Sequence, residues 1–168
     1  MRVAVGSDHA GFELKQLLVD RLALLGHEVE DLGTYSPEPV DYPPFGAAVG
    51  RAVAFGRSDL GVCVCGTGIG ISIAANKIRG VRAAVVHDVS SARLAREHND
   101  ANVICFGARL LGPQVATDAL EMFLRAEFVG GRHLRRIEEI TTLEAPAKPD
   151  SPRRPYDSLE GAVYDNLQ

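Results

Sequence analysis

Residues 60–72 read LGVCVCGTGIGIS and comprise an apolar run, a glycine loop and the start of a predicted helix. The apolar run is typical of a buried strand that ends at Cys65, and the helix is predicted over residues 71–77. A strand end, a glycine loop and a helix N-terminus together favour the binding of an anion. The thiol of Cys65 is a candidate base or nucleophile at that site, because a helix N-terminus stabilises a thiolate.

Strand-like and helix-like patterns alternate on both sides of this segment. Strands are predicted over residues 2–6, 28–32, 60–65, 81–87 and 102–107, and helices over 11–25, 45–55, 71–77, 90–98, 113–128 and 133–143. The first helix is predicted to bury one apolar face, formed by Leu14, Leu17, Leu18, Leu22 and Leu25. The alternation predicts a three-layer α/β/α, Rossmann-like sandwich with a five-stranded parallel sheet.

Ligands of such folds bind beyond the carboxyl ends of the strands. Several residues with suitable chemistry lie at or just after the ends of predicted strands: Asp8, His9, Cys65, His87, Asp88 and Arg109. We therefore expect these side chains to gather at one edge of the sheet.

The composition is that of an ordinary soluble globular protein. The chain has 168 residues, of which 46% are hydrophobic and 24% charged, and its net charge of −4 does not suggest a nucleic-acid partner. No apolar stretch reaches the roughly 20 residues of a membrane helix, and the N-terminus lacks the features of a signal peptide. We expect a cytoplasmic protein with neither a nucleic acid nor a membrane as partner.

The composition changes beyond Leu143. Four prolines fall within ten residues there: Pro146, Pro149, Pro152 and Pro155. Prolines that alternate with charges are typical of an extended or disordered tail. We divide the chain into a domain of residues 1–144 and a proline-rich tail of residues 145–168.

The three cysteines, Cys63, Cys65 and Cys105, all lie in apolar runs. Their odd number and their settings argue against a disulfide framework. Zinc would need further ligands at the usual spacing, so no metal site is predicted. Cys63 and Cys105 are expected to be buried small apolar residues. Cys65 differs from them because it directly precedes the glycine loop.

The candidate motifs each have a purely structural alternative. The G-x-G-x-G loop is neither the dinucleotide fingerprint nor a P-loop, so its glycines either form a tight turn or aim N–H groups at a developing oxyanion. Asp8 is also a good helix N-cap, and His98 also suits a helix C-terminus. Arg132 and Arg136 belong to a basic cluster that is either a solvated face or, at a spacing of four, a grip for a phosphate.

Six segments taken together resemble the family of type B ribose-5-phosphate isomerases, which includes galactose-6-phosphate and allose-6-phosphate isomerases. They are GSDHAGFELK at 6–15, DYP at 41–43, CGTGIGISIAANK at 65–77, AREHNDANV at 95–103, FGAR at 106–109 and GGRHLRRIEEI at 130–140. The resemblance covers about the first 144 residues and not the tail. It implies conversion of an aldose phosphate to a ketose phosphate through an enediolate, without a metal or organic cofactor.

The resemblance also implies the roles of individual residues. Cys65 is the base, and a second branch of the family has a glutamate where this chain has Ile71, which selects the cysteine branch. The oxyanion lies against the N–H groups of the loop with help from the Thr67 hydroxyl. The loop residues implied to bind substrate are Gly66, Gly68 and Gly70.

Sugar rings must open before they react, and the resemblance assigns this step to His98, with Asp8 near the ring oxygen. Four further residues are implied to hold the phosphate: His9, Arg109, Arg132 and Arg136. The remaining residues implied to contact substrate are Asp41, Tyr42 and Asn99. The resemblance further implies a homodimer that shares its sites, with His98 and Arg109 supplied by the second chain, and it allows a dimer of dimers.

Three alternatives to a ribose 5-phosphate isomerase stay open at this point. A six-carbon sugar phosphate is the nearest alternative substrate, since the sequence does not fix the length of the pocket. A non-catalytic sugar-phosphate sensor would need the phosphate grip but neither Cys65 nor His98. A thiol oxidoreductase would favour C-x-x-C, whereas this chain has Cys63-Val64-Cys65.

Overall fold

The computed structural model describes residues 1–144, and the predicted tail lies outside the described residues. Within this range, strands and helices alternate as β1 Arg2–Ser7, α1 Phe12–Leu24, β2 Glu28–Asp31, α2 Pro43–Ala54, β3 Leu60–Cys65, α3 Ile69–Ala75, β4 Ala83–Val85, α4 Val89–Asn99, β5 Val103–Gly107, α5 Pro113–Arg125 and α6 Arg132–Thr142. A short 3-10 turn, His9–Gly11, precedes α1. None of the helices in residues 1–144 has the length and apolar character that a membrane span requires.

The five strands form one parallel sheet in the order β2-β1-β3-β5-β4. This confirms the predicted Rossmann-like fold. The chain passes from β1 to the neighbouring edge strand β2 and then crosses back to β3 on the other side of β1. The carboxyl ends of β1 and β3 therefore flank a switch point, where the flanking connections leave in opposite directions and open a crevice.

Helices cover both faces of the sheet and so complete the three layers. On one face, α1, α4 and α5 pack against Val3, Val5 and Ile104. On the other face, α2 and α3 pack against Ala4 and Cys63. Both faces of the strands are thereby buried, which is why the strand sequences read as continuous apolar runs.

The inner face of α1 differs from its prediction. Leu14, Leu18 and Leu22 are buried as expected, whereas Leu17 and Leu25 are exposed. A lysine takes part in the buried face instead, because Lys15 finds a carboxylate partner beneath the helix. Periodicity of apolar residues cannot detect a charge that is paired by another segment.

Two other boundaries differ for identifiable reasons. Helix α3 begins at Ile69, two residues earlier than predicted, because Gly68 adopts a left-handed backbone with φ of 76° and ends the loop there. Strand β4 is confined to Ala83–Val85, although Val81 and Val86 on either side of it are buried. Because Val81 and Val86 are buried although they lie outside the strand, the apolar run is longer than the strand.

Close packing of α2 on α3 generates a stability prediction. A Cβ atom on Gly46 would lie 2.6 Å from the carbonyl oxygen of Ile71 and 3.0 Å from its Cγ1. We expect Gly46→Ala to lower the free energy of unfolding by about 1–3 kcal/mol, since overpacking outweighs the gain of about 1 kcal/mol in helix propensity. Urea denaturation of both proteins measures the difference.

The matched control is Gly112→Ala, because a Cβ there would meet no atom within 4 Å. Its effect is expected to be well below that of Gly46→Ala. A Gly46→Ala protein as stable as the wild type would show that α2 and α3 separate without cost.

Candidate active site

A cavity of about 450 Å³ opens at the switch point between β1 and β3. The elements that border it supply Asp8 and His9 after β1, Tyr42 before α2, Cys65 at the end of β3 and Arg109 after β5. Its full lining is Asp8, His9, Ala10, Tyr42, Cys65, Gly66, Thr67, Ile69, Gly70 and Arg109. The cavity thus brings together eight of the residues singled out from the sequence.

The sulfur of Cys65 is held by the glycine loop. The backbone N–H of Gly68 donates a hydrogen bond to Cys65 Sγ at 3.1 Å. Gly68 adopts a left-handed conformation, and a Cβ there would lie 2.9 Å from the backbone of Phe106. This N–H is one of those predicted to face an oxyanion, and in this structure it binds the sulfur of Cys65.

Other N–H groups of the loop remain for an oxyanion. Thr67 Oγ1 accepts a hydrogen bond from the N–H of Ile69 at 3.3 Å. In residues 1–144 no protein acceptor meets the N–H groups of Thr67 and Gly70. The aromatic ring of Tyr42 packs directly on Gly70, where a Cβ would lie 2.6 Å from Tyr42 Cζ.

Asp8 and His9 have structural partners as well as a place in the cavity. The N–H of Gly11 donates to Asp8 Oδ1 at 3.0 Å, so the N-cap role weighed for Asp8 is confirmed. Nδ1 of His9 lies 3.1 Å from both the backbone nitrogen and the carbonyl oxygen of Val40, so it accepts from the N–H or donates to the carbonyl according to the tautomer of the ring. The nitrogen left for a ligand is therefore Nε2 of His9.

Arg109 lies in the cavity of its own chain. Its backbone N–H donates to the carbonyl of Gly66 at 3.0 Å, and its guanidinium carbon would be 3.3 Å from a Cβ on Gly66. The family resemblance implied that Arg109 reaches the site from a second chain. The tight turn after β5 instead sets this guanidinium beside the loop of the same chain.

A second group of predicted site residues lies elsewhere. His98 stacks on His133 with ring centroids 4.2 Å apart and 10° between the planes. His98 and Asn99 end α4, and Arg132 and Arg136 belong to α6. The carbonyl of Asn99 accepts a hydrogen bond from Arg82, which directly precedes β4. This group, the His98 cluster, therefore lies where the strands begin.

Within a single chain, His98, Asn99, Arg132 and Arg136 lie apart from Cys65. The reason is the direction of α4, which runs back from the end of β4 to the start of β5. A six-residue strand separates the two edges by about 20 Å. None of the four residues lines the cavity.

Sequence reasoning gave His133 no role of its own. It is 7% exposed, and Nε of Arg132 donates to its Nε2 at 3.4 Å, which requires that nitrogen to be unprotonated. Burial lowers the pKa of His133, and positive charge on His98, Arg132 and Arg136 lowers it further. The signal in the sequence was its position beside Arg132, at the start of the helix predicted over residues 133–143.

Comparisons with known proteins identify the family of this chain. A model of the Ribose/Galactose Isomerase family matches residues 3–140. The chain belongs to this family. It is 48% identical to ribose-5-phosphate isomerase B of Escherichia coli over 143 residues, covering 85% of this chain and 96% of that one.

Two further relatives extend the family match. Ribose-5-phosphate isomerase B of Clostridium thermocellum has a solved structure with a TM-score of 0.85 and 49% identity, covering 86% of this chain and 97% of that one. The galactose-6-phosphate isomerase subunit LacB of Clostridium acetobutylicum is 44% identical over 128 residues, covering 76% and 74% of the two chains. The family predicted from the sequence is thereby confirmed.

The remaining candidates have structural positions. Ile71, where the other branch of the family has its glutamate, is fully buried between α3 and the sheet. Asp41 is exposed beside Tyr42 but does not line the cavity. Asp88 caps α4, and the N–H of Ser91 lowers the pKa of its carboxyl.

The other two cysteines are core residues, as predicted. Cys63 and Cys105 are register partners on β3 and β5 and both are fully buried. Burial raises the pKa of the Cys105 thiol, and its hydrogen bond with Cys63 adds to the effect. Residues 1–144 contain no group of three or more His, Cys, Asp or Glu side chains placed to hold a metal.

The His98 cluster generates a prediction about titration. We expect His133 to titrate below the ordinary histidine pKa of about 6.5, so that folding resists its protonation and the free energy of unfolding decreases as the pH falls through that value. His98→Asn removes the positive charge of His98 and the ring that shields His133 from solvent. Since both lower the pKa of His133, the substitution should raise it. Imidazole NMR signals followed against pH measure both.

His87→Asn is the control, because His87 is exposed and is not part of the cluster. It should leave the titration of His133 unchanged. A His133 that titrates at the ordinary value in the wild type would contradict the stacked, buried arrangement.

Proposed function

We propose that this chain is an aldose–ketose isomerase that interconverts ribose 5-phosphate and ribulose 5-phosphate through an enediolate, with Cys65 as the base. The observation that carries the proposal is the sulfur of Cys65, which lines the cavity and is held there by the N–H of Gly68. The relatives named above support a pentose phosphate as the substrate. Ile71 also supports Cys65 as the base. The other branch of the family has its glutamate base at this position, whereas Ile71 is an apolar residue of the core.

The proton transfer is balanced within the substrate. The Cys65 thiolate takes the proton from C2, and the electrons of that bond form the enediolate between C1 and C2. The thiol returns the proton to C1 while a proton moves from the oxygen on C2 to the oxygen on C1. The free N–H groups of Thr67 and Gly70 stabilise the charge on oxygen.

The proposed assembly is a homodimer in which each site is shared. Ring opening by His98 requires an imidazole near Asp8, yet the two lie at opposite edges of one chain's sheet. A second copy related by a two-fold axis can bring its His98 cluster to this cavity. Ile69 and Ile73, about half exposed at 53% and 54%, provide apolar surface near the cavity for such a contact.

The same assembly completes the proposed phosphate grip. His9 and Arg109 lie in the cavity, and Arg132 and Arg136 stand one turn apart on an exposed face of α6. Four cationic or hydrogen-bonding groups from two chains would then surround one phosphate. A dimer of dimers and the cytoplasmic location stay predictions from the sequence.

A six-carbon sugar phosphate is the second candidate substrate, favoured by the 44% identity to the galactose-6-phosphate isomerase subunit. Turnover of ribose 5-phosphate compared with galactose 6-phosphate and allose 6-phosphate by the purified protein separates the two. The sensor alternative predicts binding of all three without turnover.

Replacement of the base tests the mechanism. Cys65→Ala should reduce exchange of the substrate C2 proton with solvent deuterium by at least about a hundredfold, since a positioned base contributes on this scale. Proton NMR of the sugar phosphate in D₂O measures the exchange. The variant should still bind the sugar phosphate, because the side chains proposed to bind the phosphate belong to other residues.

Cys63→Ala is the matched control, two residues earlier on the same face of β3 and outside the cavity. It should keep the activity of the wild type. Full exchange by Cys65→Ala would exclude the thiol as the base.

Mixing two inactive proteins tests the shared site. Cys65→Ala and His98→Asn proteins should each be inactive, but mixed dimers contain one intact site formed by the two unaltered halves. Random mixing should restore about one quarter of the wild-type activity in a two-fold dimer. Activity is measured after unfolding and refolding the two proteins together.

The control refolds each variant alone, which should give no activity. Mixed dimers that form and remain inactive would place His98 and Cys65 of one chain in the same site.

A further inference from the structure

A buried lysine of α1 forms an ion pair with a partly exposed aspartate at the end of β2. Lys15 is 0% exposed, and its ammonium donates to the two carboxylate oxygens of Asp31 at 2.7 and 2.5 Å. The rings of Phe12 and Tyr35 lie 5.7 and 5.4 Å from the ammonium. A buried ion pair contributes little net stability compared with apolar residues of similar size, so stability alone does not account for it.

The pair is joined to the end of β1 by a chain of hydrogen bonds. The N–H of Gly33 donates to Asp31 Oδ1 at 2.9 Å. The carbonyl of Gly33 in turn accepts from the N–H of Ser7 at 2.6 Å, and the N–H of Thr34 donates to the Ser7 carbonyl at 2.8 Å. The Ser7 hydroxyl is buried and has no partner in residues 1–144, so the backbone alone holds this residue.

Both ends of this connection continue into the cavity. Ser7 directly precedes Asp8 and His9, which line it. The segment that starts at Gly33 leads on to Val40, which binds the His9 ring, and to Tyr42, which lies on the glycine loop. The position of three cavity side chains therefore depends on how Gly33 is held.

We propose that Lys15 and Asp31 are positioning residues for the isomerisation. The carboxylate of Asp31 is 26% exposed, so without the ammonium it can turn toward water and release Gly33. Lys15 prevents this by engaging both oxygens while Oδ1 still accepts from Gly33. The expected effect on kcat rests on the proposed function. The expected effect on the placement of Gly33 and the cavity side chains rests on the hydrogen bonds described above.

Lys15→Met tests the kinetic consequence, since methionine has nearly the shape of lysine without its charge. The kcat for ribose 5-phosphate should fall about ten- to hundredfold, because small displacements of reacting groups have effects of this size. Lys77→Met, the same change at an exposed position, should stay within twofold of the wild type. Both are assayed well below their unfolding midpoints.

The double variant Lys15→Met/Asp31→Asn separates positioning from stability. It has no unpaired buried charge, so its unfolding midpoint should recover toward the wild type. Its amide is not anchored, so kcat should stay at the level of Lys15→Met. Recovery of kcat together with the midpoint would overturn the proposal, and so would a folded Lys15→Met protein with wild-type kcat.

A measurement without turnover separates this proposal from the proposed function. Lys15→Met should shift the imidazole NMR signals of His9 and leave those of His133, at the other sheet edge, in place. A wild type that does not convert ribose 5-phosphate would refute the proposed function, while the His9 signals would still report the link. Unchanged His9 signals in Lys15→Met would refute the positioning role.

Discussion

The parallel pairing of β1 with β3 is the constraint on which the rest of this structure depends. Ser7 lies in register with Val64, and the N–H of Asp8 donates to the Val64 carbonyl at 3.3 Å, so the two strands end side by side. The connections then leave toward opposite sides of the sheet and open the crevice. The glycine loop, the sulfur and the carboxylate share a site because of this one pairing.

The fold was largely predictable because its determinants are local. Strand β3 was predicted with its observed bounds, since an apolar run followed by alternate glycines has few other solutions. The burial of Lys15 was not predictable in the same way. Its partner, Asp31, belongs to another strand, and no period of apolar residues in α1 reports a contact sixteen residues away.

The candidate site was predictable only where it follows strand ends. Cys65 ends a strand, while Asp8, His9 and Arg109 follow strands, and the topology brings the four together. His98 ends a helix, and a helix that connects parallel strands finishes at the opposite edge. The family resemblance identified His98 and implied that a second chain supplies it, but the strand pattern alone did not show at which edge of its own sheet His98 lies. His133 was missed since its role arises from stacking on a residue of another helix.

The separation of the cavity from the His98 cluster has a consequence for mass action. With the roles proposed for Cys65 and His98, a single chain is complete as a fold and incomplete as a catalyst. In the proposed assembly, specific activity becomes a function of protein concentration, and it falls on dilution below the dissociation constant of the dimer although every chain remains folded. Near that concentration, a change in the amount of protein therefore changes the total activity by more than the same factor.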